Sequence, residues 1–337
     1  MAQSIPKTMK ALGLTNYKEN YHLQDDVPVP VPGSGEILIR LVASGFCHTD
    51  HMVYEGAFKT KLPHIGSHEP TGTVAALGPS VSGDWKVGDK VGVYLFKNAC
   101  GDCAGCKWYA ATYGGKTSAR YCFNQTMHGI LGADGGFSEY MVTSDDAIVR
   151  IPDEVPFDQS APLMCAGATV YNGLLEANLS PGQSVAIVGI GALGFLGIQF
   201  AKAMGCRVIA ISSRDLTPQL ESDVPKALWP DLTVSSKDPS SPQKILDFTN
   251  GIGLDAAVVC TDNIPDNDWI LHRLRTFHEI TVKGALHASV EAMEKMFVVV
   301  KEHGIKSQIT TVKMDDAENL PESSASHDYK GKMVVMI

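Results

Sequence analysis

Short apolar runs broken by glycine characterise the chain between Gly35 and Arg150. Four of these runs are EILIRLVASG, TGTVAALG, GDKVGVYL and GGFSEYMV. Runs of this length, bounded by glycine and containing β-branched residues, are typical of strands. This part of the chain is therefore expected to form a compact β-rich domain.

The pattern changes near Pro162, after which helical segments alternate with apolar strands. Residues 166–175 read as a helix, and QSVAIVGIGALGFLGIQFAKAMGCRVIAIS reads as strand, glycine turn, helix and strand. The strands VAIVG and VIAI are apolar throughout, as expected for parallel strands that are buried on both faces. LTVSS, DAAVVC and EITVKGAL continue the alternation, which predicts an α/β domain with a doubly wound parallel sheet.

Strand patterns return at the C-terminus. The segment VEAMEKMFVVVKEHG predicts a helix, and QITTVKM and GKMVVMI are strand candidates that follow it. The predicted layout is a β-rich domain of residues 1–162 and 288–337, interrupted by an α/β domain of residues 163–287. A chain of 337 residues is long enough for two such domains.

Composition and charge restrict the kind of protein, its partners and its compartment. Hydrophobic residues make up 44% and charged residues 19%, which is ordinary for a globular enzyme or binding protein. The formal charge of −9, without a cluster of Lys and Arg, makes nucleic acid and anionic membranes unfavourable partners. The segment MAQSIPKTMKALGL lacks the apolar run of a secretory signal, and no apolar run is long enough to span a bilayer. We expect a cytoplasmic protein whose thiols stay reduced.

A dense group of cysteines raises three alternatives: a disulfide scaffold, a redox pair or a metal cage. Cys100, Cys103, Cys106 and Cys122 lie within 23 residues. A reducing compartment disfavours disulfides, and a thioredoxin-like motif needs only two cysteines. Closely spaced thiolates suit tetrahedral Zn²⁺. We favour the metal cage, and because all four positions are filled, this zinc would be structural.

A glycine turn predicts a dinucleotide-binding site. Gly189, Gly191 and Gly194 form a GxGxxG motif that follows an apolar strand and opens a helix, which is the context that the motif requires. Gly189 would allow the tight turn, Gly191 the approach of backbone to pyrophosphate, and Gly194 the packing of helix on strand. The alternative is a tight turn without a ligand.

The end of the next strand bears on the choice of cofactor. A carboxylate is expected there for the ribose hydroxyls of NAD, but the chain has Ser212, Ser213 and Arg214. Without the acid a 2′-phosphate is not repelled, and Arg214 could pair with it. We favour NADP over NAD, although an exposed loop arginine is the simpler alternative.

Three separated segments supply a second set of metal-ligand types. Cys47, His68 and Cys165 together offer two thiolates and one imidazole. Each residue alone could belong to the core, but three protein ligands with an open fourth position are typical of catalytic zinc.

The motifs FCHTD, SHEP, CGDCAGC, DGGFSEY, PLMCAGATVY and GIGALG, in this order, resemble the zinc-dependent medium-chain alcohol dehydrogenases, in particular their yeast-like and cinnamyl-alcohol-dehydrogenase-like branches. The resemblance covers nearly the whole chain. It implies a GroES-like catalytic domain, a Rossmann-type domain, a catalytic and a structural zinc in each chain, and a homo-oligomer, either dimer or tetramer.

The resemblance also implies roles for single residues. Glu69 would lie behind the catalytic zinc, Asp50 would orient His68, and Thr49 would take the substrate proton. The implied cofactor contacts are His48 and Lys332 to the phosphates and Thr169 and Leu193 to the nicotinamide.

The function implied is hydride transfer between NADP(H), or NAD(H), and a primary or secondary alcohol, an aldehyde or a ketone. Zinc would act as a Lewis acid, while the cofactor carries the redox step. The alternative is the same fold with the redox step lost, or replaced by a non-redox isomerisation or cyclisation at the zinc pocket.

The chain departs from the family pattern at three further places, and the second and third of them motivate this alternative. The 15 residues between Cys106 and Cys122 predict a looped-out insertion, and Met52 occupies the position of the usual relay histidine. The segment TDNIPDNDWILHRLRTFH has room for a turn and the helix DWILHRLR but not for a further strand. The family has a strand here, inside the sheet and next to the strand that corresponds to EITVKGAL. We therefore predict a sheet of five strands in which EITVKGAL moves inward to the place of the absent strand. This change affects the sheet edge through which the family forms dimers.

Overall fold

The chain folds into two compact units. The computed structural model describes residues 4–216, 220–221, 224–274, 280–326 and 329–337. The first unit comprises Met1–Cys165 and Ile309–Ile337, and the second comprises Ala166–Gln308. The second unit extends beyond the boundary predicted at 287, because the helix Val290–His303 packs against helices of that unit.

Strands and helices occupy most of the segments in which the sequence predicts them. The strands are β1 (Thr8–Leu14), β2 (His22–Pro28), β3 (Glu36–Phe46), β4 (His64–Ile65), β5 (Pro70–Leu77), β6 (Lys90–Val93), β7 (Phe96–Lys97), β8 (Thr126–His128), β9 (Gly132–Ala133), β10 (Tyr140–Ser144), β11 (Ile148–Arg150), β12 (Ser184–Val188), β13 (Arg207–Ile211), β14 (Leu232–Val234), β15 (Ala256–Val259), β16 (Ile309–Lys313) and β17 (Lys332–Met336). The α-helices are α1 (His48–Tyr54), α2 (Ala104–Thr112), α3 (Phe157–Ser160), α4 (Ala166–Ala177), α5 (Ala192–Ala203), α6 (Ser241–Phe248), α7 (Ile264–Leu271), α8 (Val290–His303) and α9 (Leu320–Ser326). None of the helices in these described ranges is both long and apolar enough to cross a membrane.

A seven-stranded sheet forms the centre of the first unit. Its strands follow the order β11-β6-β5-β3-β17-β16, and β10 also pairs with β3. Successive side chains of β3 point to opposite faces, so that Ile37 and Ile39 enter one apolar cluster and Leu38 enters another. The antiparallel pairing of β17 with β3 joins the returning C-terminal segment to the middle of this sheet, as predicted.

A parallel sheet forms the centre of the second unit. Within the described residues it has the strand order β14-β13-β12-β15, and every pair is parallel. All five residues of β12 are buried, as expected for a central strand covered on both faces. Helix α5 connects β12 to β13, which completes the predicted βαβ unit and confirms the α/β class.

The predicted fifth strand, EITVKGAL, is not formed. Glu279 lies outside the described residues, and residues 280–286 have no regular structure. The side chains of Ile280 and Val282 are 47% and 81% exposed. Contacts with α4 hold this segment instead: Lys283 pairs with Glu176, and the carbonyl of Leu286 accepts a hydrogen bond from the Asn172 side chain at 2.7 Å. The β-branched pattern of the segment is therefore overridden by its tertiary contacts.

The helix before this segment also differs from its prediction. It begins at Ile264 rather than Asp268, because the Asn263 side chain caps it by accepting a hydrogen bond from the Asp266 amide. It ends at Leu271, and Leu254 donates a backbone hydrogen bond to Arg273 shortly beyond that end.

Candidate active site

The first unit brings together the residues predicted to bind the catalytic zinc. The ligand atoms of Cys47, His68, Glu69 and Cys165 all lie within 4.8 Å of one another. Cys47 caps α1 at the end of β3, whereas His68 and Glu69 directly precede β5. Cys165 follows a short 3₁₀ turn. Three distant segments of sequence therefore converge on one point.

The donor atoms of this cluster fit zinc. Two thiols and an imidazole form the Cys₂His set of a catalytic site that keeps one position open. Among the described residues, Oε2 of Glu69 is buried and has no hydrogen-bond partner, so the cluster presents an additional oxygen ligand that protein groups leave unsatisfied. An unpaired buried carboxylate oxygen is costly, and a cation at this point would stabilise it.

Electrostatics favour a thiolate in the cluster. A hydrogen bond from the Cys165 thiol holds the pKa of Cys47 well below its usual range, although burial opposes this effect. The same hydrogen bond, together with burial, raises the pKa of Cys165. The two pKa values therefore shift in opposite directions, because the hydrogen bond between the two sulfur atoms favours the thiolate of Cys47.

Asp50 connects two of the predicted ligands. Its buried carboxylate accepts hydrogen bonds from the Cys47 amide at 2.8 Å and the Ser67 amide at 3.0 Å. Nδ1 of His68 lies 3.3 Å from the same carboxylate. Burial lowers the pKa of His68, but the charge of Asp50 and its hydrogen bond outweigh burial and raise it. With Nδ1 directed at Asp50, Nε2 is the ring nitrogen left for a metal.

Glu69 and Lys332 form a buried ion pair that the sequence did not indicate. The amino group of Lys332 pairs with the Glu69 carboxylate, and the Lys332 side chain is only 5% exposed. Burial raises the pKa of Glu69 to about 7, although the charge of Lys332 acts in the opposite direction. Lys332 was predicted to contact a cofactor phosphate. In the structure its amino group binds Glu69, and the phosphate contact stays a prediction.

Other residues of α1 lie beside the cluster. The Thr49 hydroxyl oxygen is 3.9 Å from the Cys47 sulfur, within reach of a group bound at the cluster. His48 is exposed, and its ring centre is 6.3 Å from that of His51. His51, to which the sequence assigned no role, also contacts the ring of Tyr54 at 5.4 Å.

The second cysteine group also converges. The sulfur atoms of Cys100, Cys103, Cys106 and Cys122 lie within 4.8 Å of one another. The Cys103 sulfur accepts hydrogen bonds from the backbone amides of Cys106 at 3.4 Å and Phe123 at 3.2 Å, and these bonds lower the pKa of Cys103 to about 6. Four sulfurs in this arrangement fit a closed, structural zinc site.

The insertion between Cys106 and Cys122 is a loop only in part. Helix α2 covers residues 107–112 of it, and residues 113–118 form neither helix nor strand. Aromatic side chains of the insertion pack together. Tyr109 stacks on Tyr113 at 4.5 Å and on Tyr121 at 5.0 Å between ring centres, and Trp108 meets Tyr121 edge-on at 5.2 Å. This aromatic cluster gives the insertion its own small core.

In the second unit, the glycine turn has the features that its motif requires. Gly189 has φ +83°, a conformation that favours glycine. A Cβ at Gly194 would overlap the carbonyl of Gly189, so that position also needs glycine. A Cβ at Gly191, by contrast, would meet no atom within 4 Å. The backbone at Gly191 is therefore open to close approach by a ligand.

Arg214 lies against this turn. Its Nη2 donates a hydrogen bond to the Ile190 carbonyl at 2.7 Å. The Ser212 hydroxyl accepts from the Arg214 amide at 3.0 Å and donates to the Arg214 carbonyl at 2.9 Å, whereas Ser213 is exposed. A positive charge is therefore held at the end of β13, next to the glycine turn.

Thr169 and Leu193 line the same cavity of about 290 Å³ in the second unit. Val259 and Cys260, at the carboxyl end of β15, also line it. Ligands of open α/β sheets bind at this end of the strands. Contact of Thr169 and Leu193 with a nicotinamide stays a prediction.

Comparison with known proteins places these features in a family. The alcohol dehydrogenase GroES-like domain matches residues 33–153. An alcohol dehydrogenase of Geobacillus stearothermophilus is 37% identical over 246 residues, which are 72% of this chain and 68% of that enzyme. The chain therefore belongs to the zinc-type medium-chain alcohol dehydrogenase family, whose members are oxidoreductases, and the resemblance seen in the sequence is confirmed.

Solved structures agree with this assignment. A cinnamyl alcohol dehydrogenase of Sorghum bicolor is 25% identical, has a TM-score of 0.78 and matches 98% of each chain. A cobalt- and zinc-bound thermostable alcohol dehydrogenase of Pyrobaculum aerophilum is also 25% identical, with a TM-score of 0.77, over 98% of this chain and all of that chain.

Proposed function

We propose that this protein is a zinc-dependent alcohol dehydrogenase or carbonyl reductase that transfers hydride between NADP(H) and a small alcohol, aldehyde or ketone. The observation that carries the proposal is the convergence of Cys47, His68 and Cys165, with the Thr49 hydroxyl 3.9 Å from the first of them. We assign the metal chemistry to the first unit and dinucleotide binding to the second.

Cys47, His68 and Cys165 would hold the catalytic metal, with Glu69 behind it. When bound, zinc supplies Lewis acidity, which makes the hydroxyl of an alcohol more acidic and a carbonyl more electrophilic. Asp50 fixes the ring of His68 and the start of α1 by its three contacts. The Thr49 hydroxyl oxygen would accept the proton of an alcohol substrate while its own proton passes outward, and the reverse transfer would complete reduction of a carbonyl.

For the cofactor we favour NADP, with NAD as the alternative. The Gly189–Gly194 turn and the N-terminus of α5 would bind the pyrophosphate, since backbone amides at a helix start favour anions. Arg214, with Ser212 and Ser213, would bind the 2′-phosphate. The hydrogen bond from Arg214 to Ile190 supports this assignment, because it holds the guanidinium beside the turn.

One structural observation favours a second candidate, a non-redox reaction on the same fold. Residues 280–286 form no strand, and the described part of the parallel sheet contains four strands rather than the predicted five. Loss of a strand from this sheet would leave the nicotinamide half of the site incomplete, which would remove the redox step and leave the zinc pocket. Assembly as a dimer or tetramer also stays a prediction, because the absent strand changes the sheet edge through which the family forms dimers.

The proposal is tested by following NADPH oxidation by the zinc-loaded protein with a broad panel of aldehydes and ketones. We expect turnover that Cys47→Ser abolishes. Cys206→Ser is the matched control, because Cys206 belongs to neither cysteine group in the structure and lies in the second unit. No turnover with any substrate of the panel, by a protein that retains zinc, would favour the non-redox candidate.

A further inference from the structure

The residue before the predicted ligand His68 has an unusual backbone conformation. Ser67 has φ +72°, in the left-handed region that residues with a side chain rarely adopt. It is fully buried. A conformation of this kind persists only when the surrounding structure imposes it, and such positions are frequent at functional sites.

Hydrogen bonds hold Ser67 on all sides. Its amide donates to Asp50, and its carbonyl accepts from the Gly136 amide at 2.9 Å. Its hydroxyl donates to the Gly45 carbonyl at 2.7 Å and lies 2.7 Å from the Ser44 hydroxyl. Because a carbonyl can only accept, the single hydroxyl proton of Ser67 goes to Gly45, and Ser44 donates to Ser67.

These contacts connect the two segments that supply the first two ligands. Ser44 and Gly45 belong to the last part of β3, which leads directly to Cys47. Ser67 directly precedes His68, and its hydroxyl also accepts from the Glu69 amide at 3.3 Å. The hydroxyl therefore bridges the end of β3 and the loop before β5.

We propose that Ser67 is a positioning residue whose hydroxyl fixes the separation of Cys47 and His68 for metal binding. The inference rests on the proposed metal site of the preceding section. The motif SHEP indicates His68 as a ligand, but it does not indicate a role for Ser67. The simpler alternative is that the hydroxyl only satisfies the buried Gly45 carbonyl and stabilises the fold.

The test compares Ser67→Ala and Ser67→Gly with the wild type. Alanine keeps the unfavourable φ and loses the hydroxyl bridge, whereas glycine adopts φ +72° freely but also loses the bridge. Ser80→Ala is the matched control, because Ser80 has φ +59° in an exposed turn. Cys47→Ser identifies which of the bound metals belongs to the cluster.

Two measurements are made on each protein. Zinc affinity is determined by competition with a chelating dye. The geometry of the site is followed by the visible absorption of the cobalt-substituted protein, from which the spectrum of its Cys47→Ser counterpart is subtracted.

We expect zinc binding to be about tenfold weaker or more for Ser67→Ala, because loss of a residue that orients ligands typically weakens metal binding about 10- to 100-fold. The loss should be smaller for Ser67→Gly, and the cobalt spectrum should shift in both variants. Ser80→Ala should match the wild type.

Two results would contradict the inference, and they are distinguishable. If the wild type holds two zinc ions and both Ser67 variants keep its affinity and cobalt spectrum, the hydroxyl is only structural, even where melting temperatures fall. If the wild type holds one zinc ion and Cys47→Ser changes nothing, the proposed metal site itself is wrong, and the inference fails with it.

Discussion

Arg214→Ala is expected to weaken the binding of NADPH selectively. The guanidinium is held beside the glycine turn by the 2.7 Å hydrogen bond to Ile190, and Ser212 fixes the backbone of Arg214 by two hydrogen bonds. Because the side chain is already placed, little conformational entropy is lost when it binds a phosphate.

The size of the effect follows from the bond that is lost. A hydrogen bond to a charged group contributes about 1.5–3 kcal/mol, and each 1.4 kcal/mol corresponds to a tenfold change in affinity. The dissociation constant for NADPH should therefore rise roughly 10- to 150-fold. NADH lacks the 2′-phosphate, so its constant should change by no more than about twofold. Arg214 is exposed, and the difference should shrink as salt is added.

The assay is a fluorescence titration of zinc-loaded protein with NADPH and NADH in parallel. Lys244→Ala provides the control, since it removes a half-exposed cation of α6 that pairs with Asp238 in the same unit. An equal loss of affinity for both nucleotides, or unchanged NADPH binding, would refute the assignment of Arg214 to the 2′-phosphate.

The first unit supplies three further predictions. Asp50→Asn removes the charge that orients His68 and should weaken zinc binding about 10- to 100-fold in a chelator competition; wild-type affinity would contradict the role of Asp50. Lys332→Met leaves Glu69 buried without its partner and should lower the free energy of unfolding by about 3–5 kcal/mol. The double variant Lys332→Met with Glu69→Gln should lose much less stability. Calorimetry of both variants tests this prediction, and equal losses would argue against the ion pair. Tyr109→Ala removes the central ring of the insertion and should destabilise the protein by about 3 kcal/mol, with faster proteolysis near α2; unchanged proteolysis would show that the aromatic cluster contributes little.

The grouping of these ligand types could be predicted because metal-binding chemistry restricts residue type. Cys47, His68 and Cys165 were assigned from their residue types and from the resemblance of the motifs around them, and the structure brings their ligand atoms together, whereas zinc binding itself stays a prediction. The glycine turn was predictable for a similar reason, since its conformation excludes most side chains.

Contacts between distant parts of the chain were not predictable in the same way. Glu69 and Lys332 are 263 residues apart, and nothing in the pattern around either residue points to the other. The bridge made by Ser67 depends on a positive φ, which a sequence motif without glycine does not indicate.

Local sequence patterns gave incorrect or incomplete predictions of secondary structure at two segments, and at a third segment a helix signal was not used. ITV, at residues 280–282, has the β-branched composition of a strand, but contacts of the segment with α4 hold it in an irregular conformation. The insertion before Cys122 lacks the apolar periodicity of a long helix, and its helix is stabilised by aromatic packing instead. The start of α7 carried a recognisable signal, because Asn263 followed by Pro265 is typical of a helix N-terminus.

Hydride transfer is measured directly with 4-deuterated NADPH and an aldehyde, by mass spectrometry and NMR of the alcohol formed. We expect the wild-type, zinc-loaded protein to transfer one deuterium from a single face of the nicotinamide to the carbonyl carbon, and Cys47→Ser to transfer none. A protein that binds zinc and NADPH, yet yields no deuterated alcohol from any aldehyde of the panel, would contradict a hydride-transferring function.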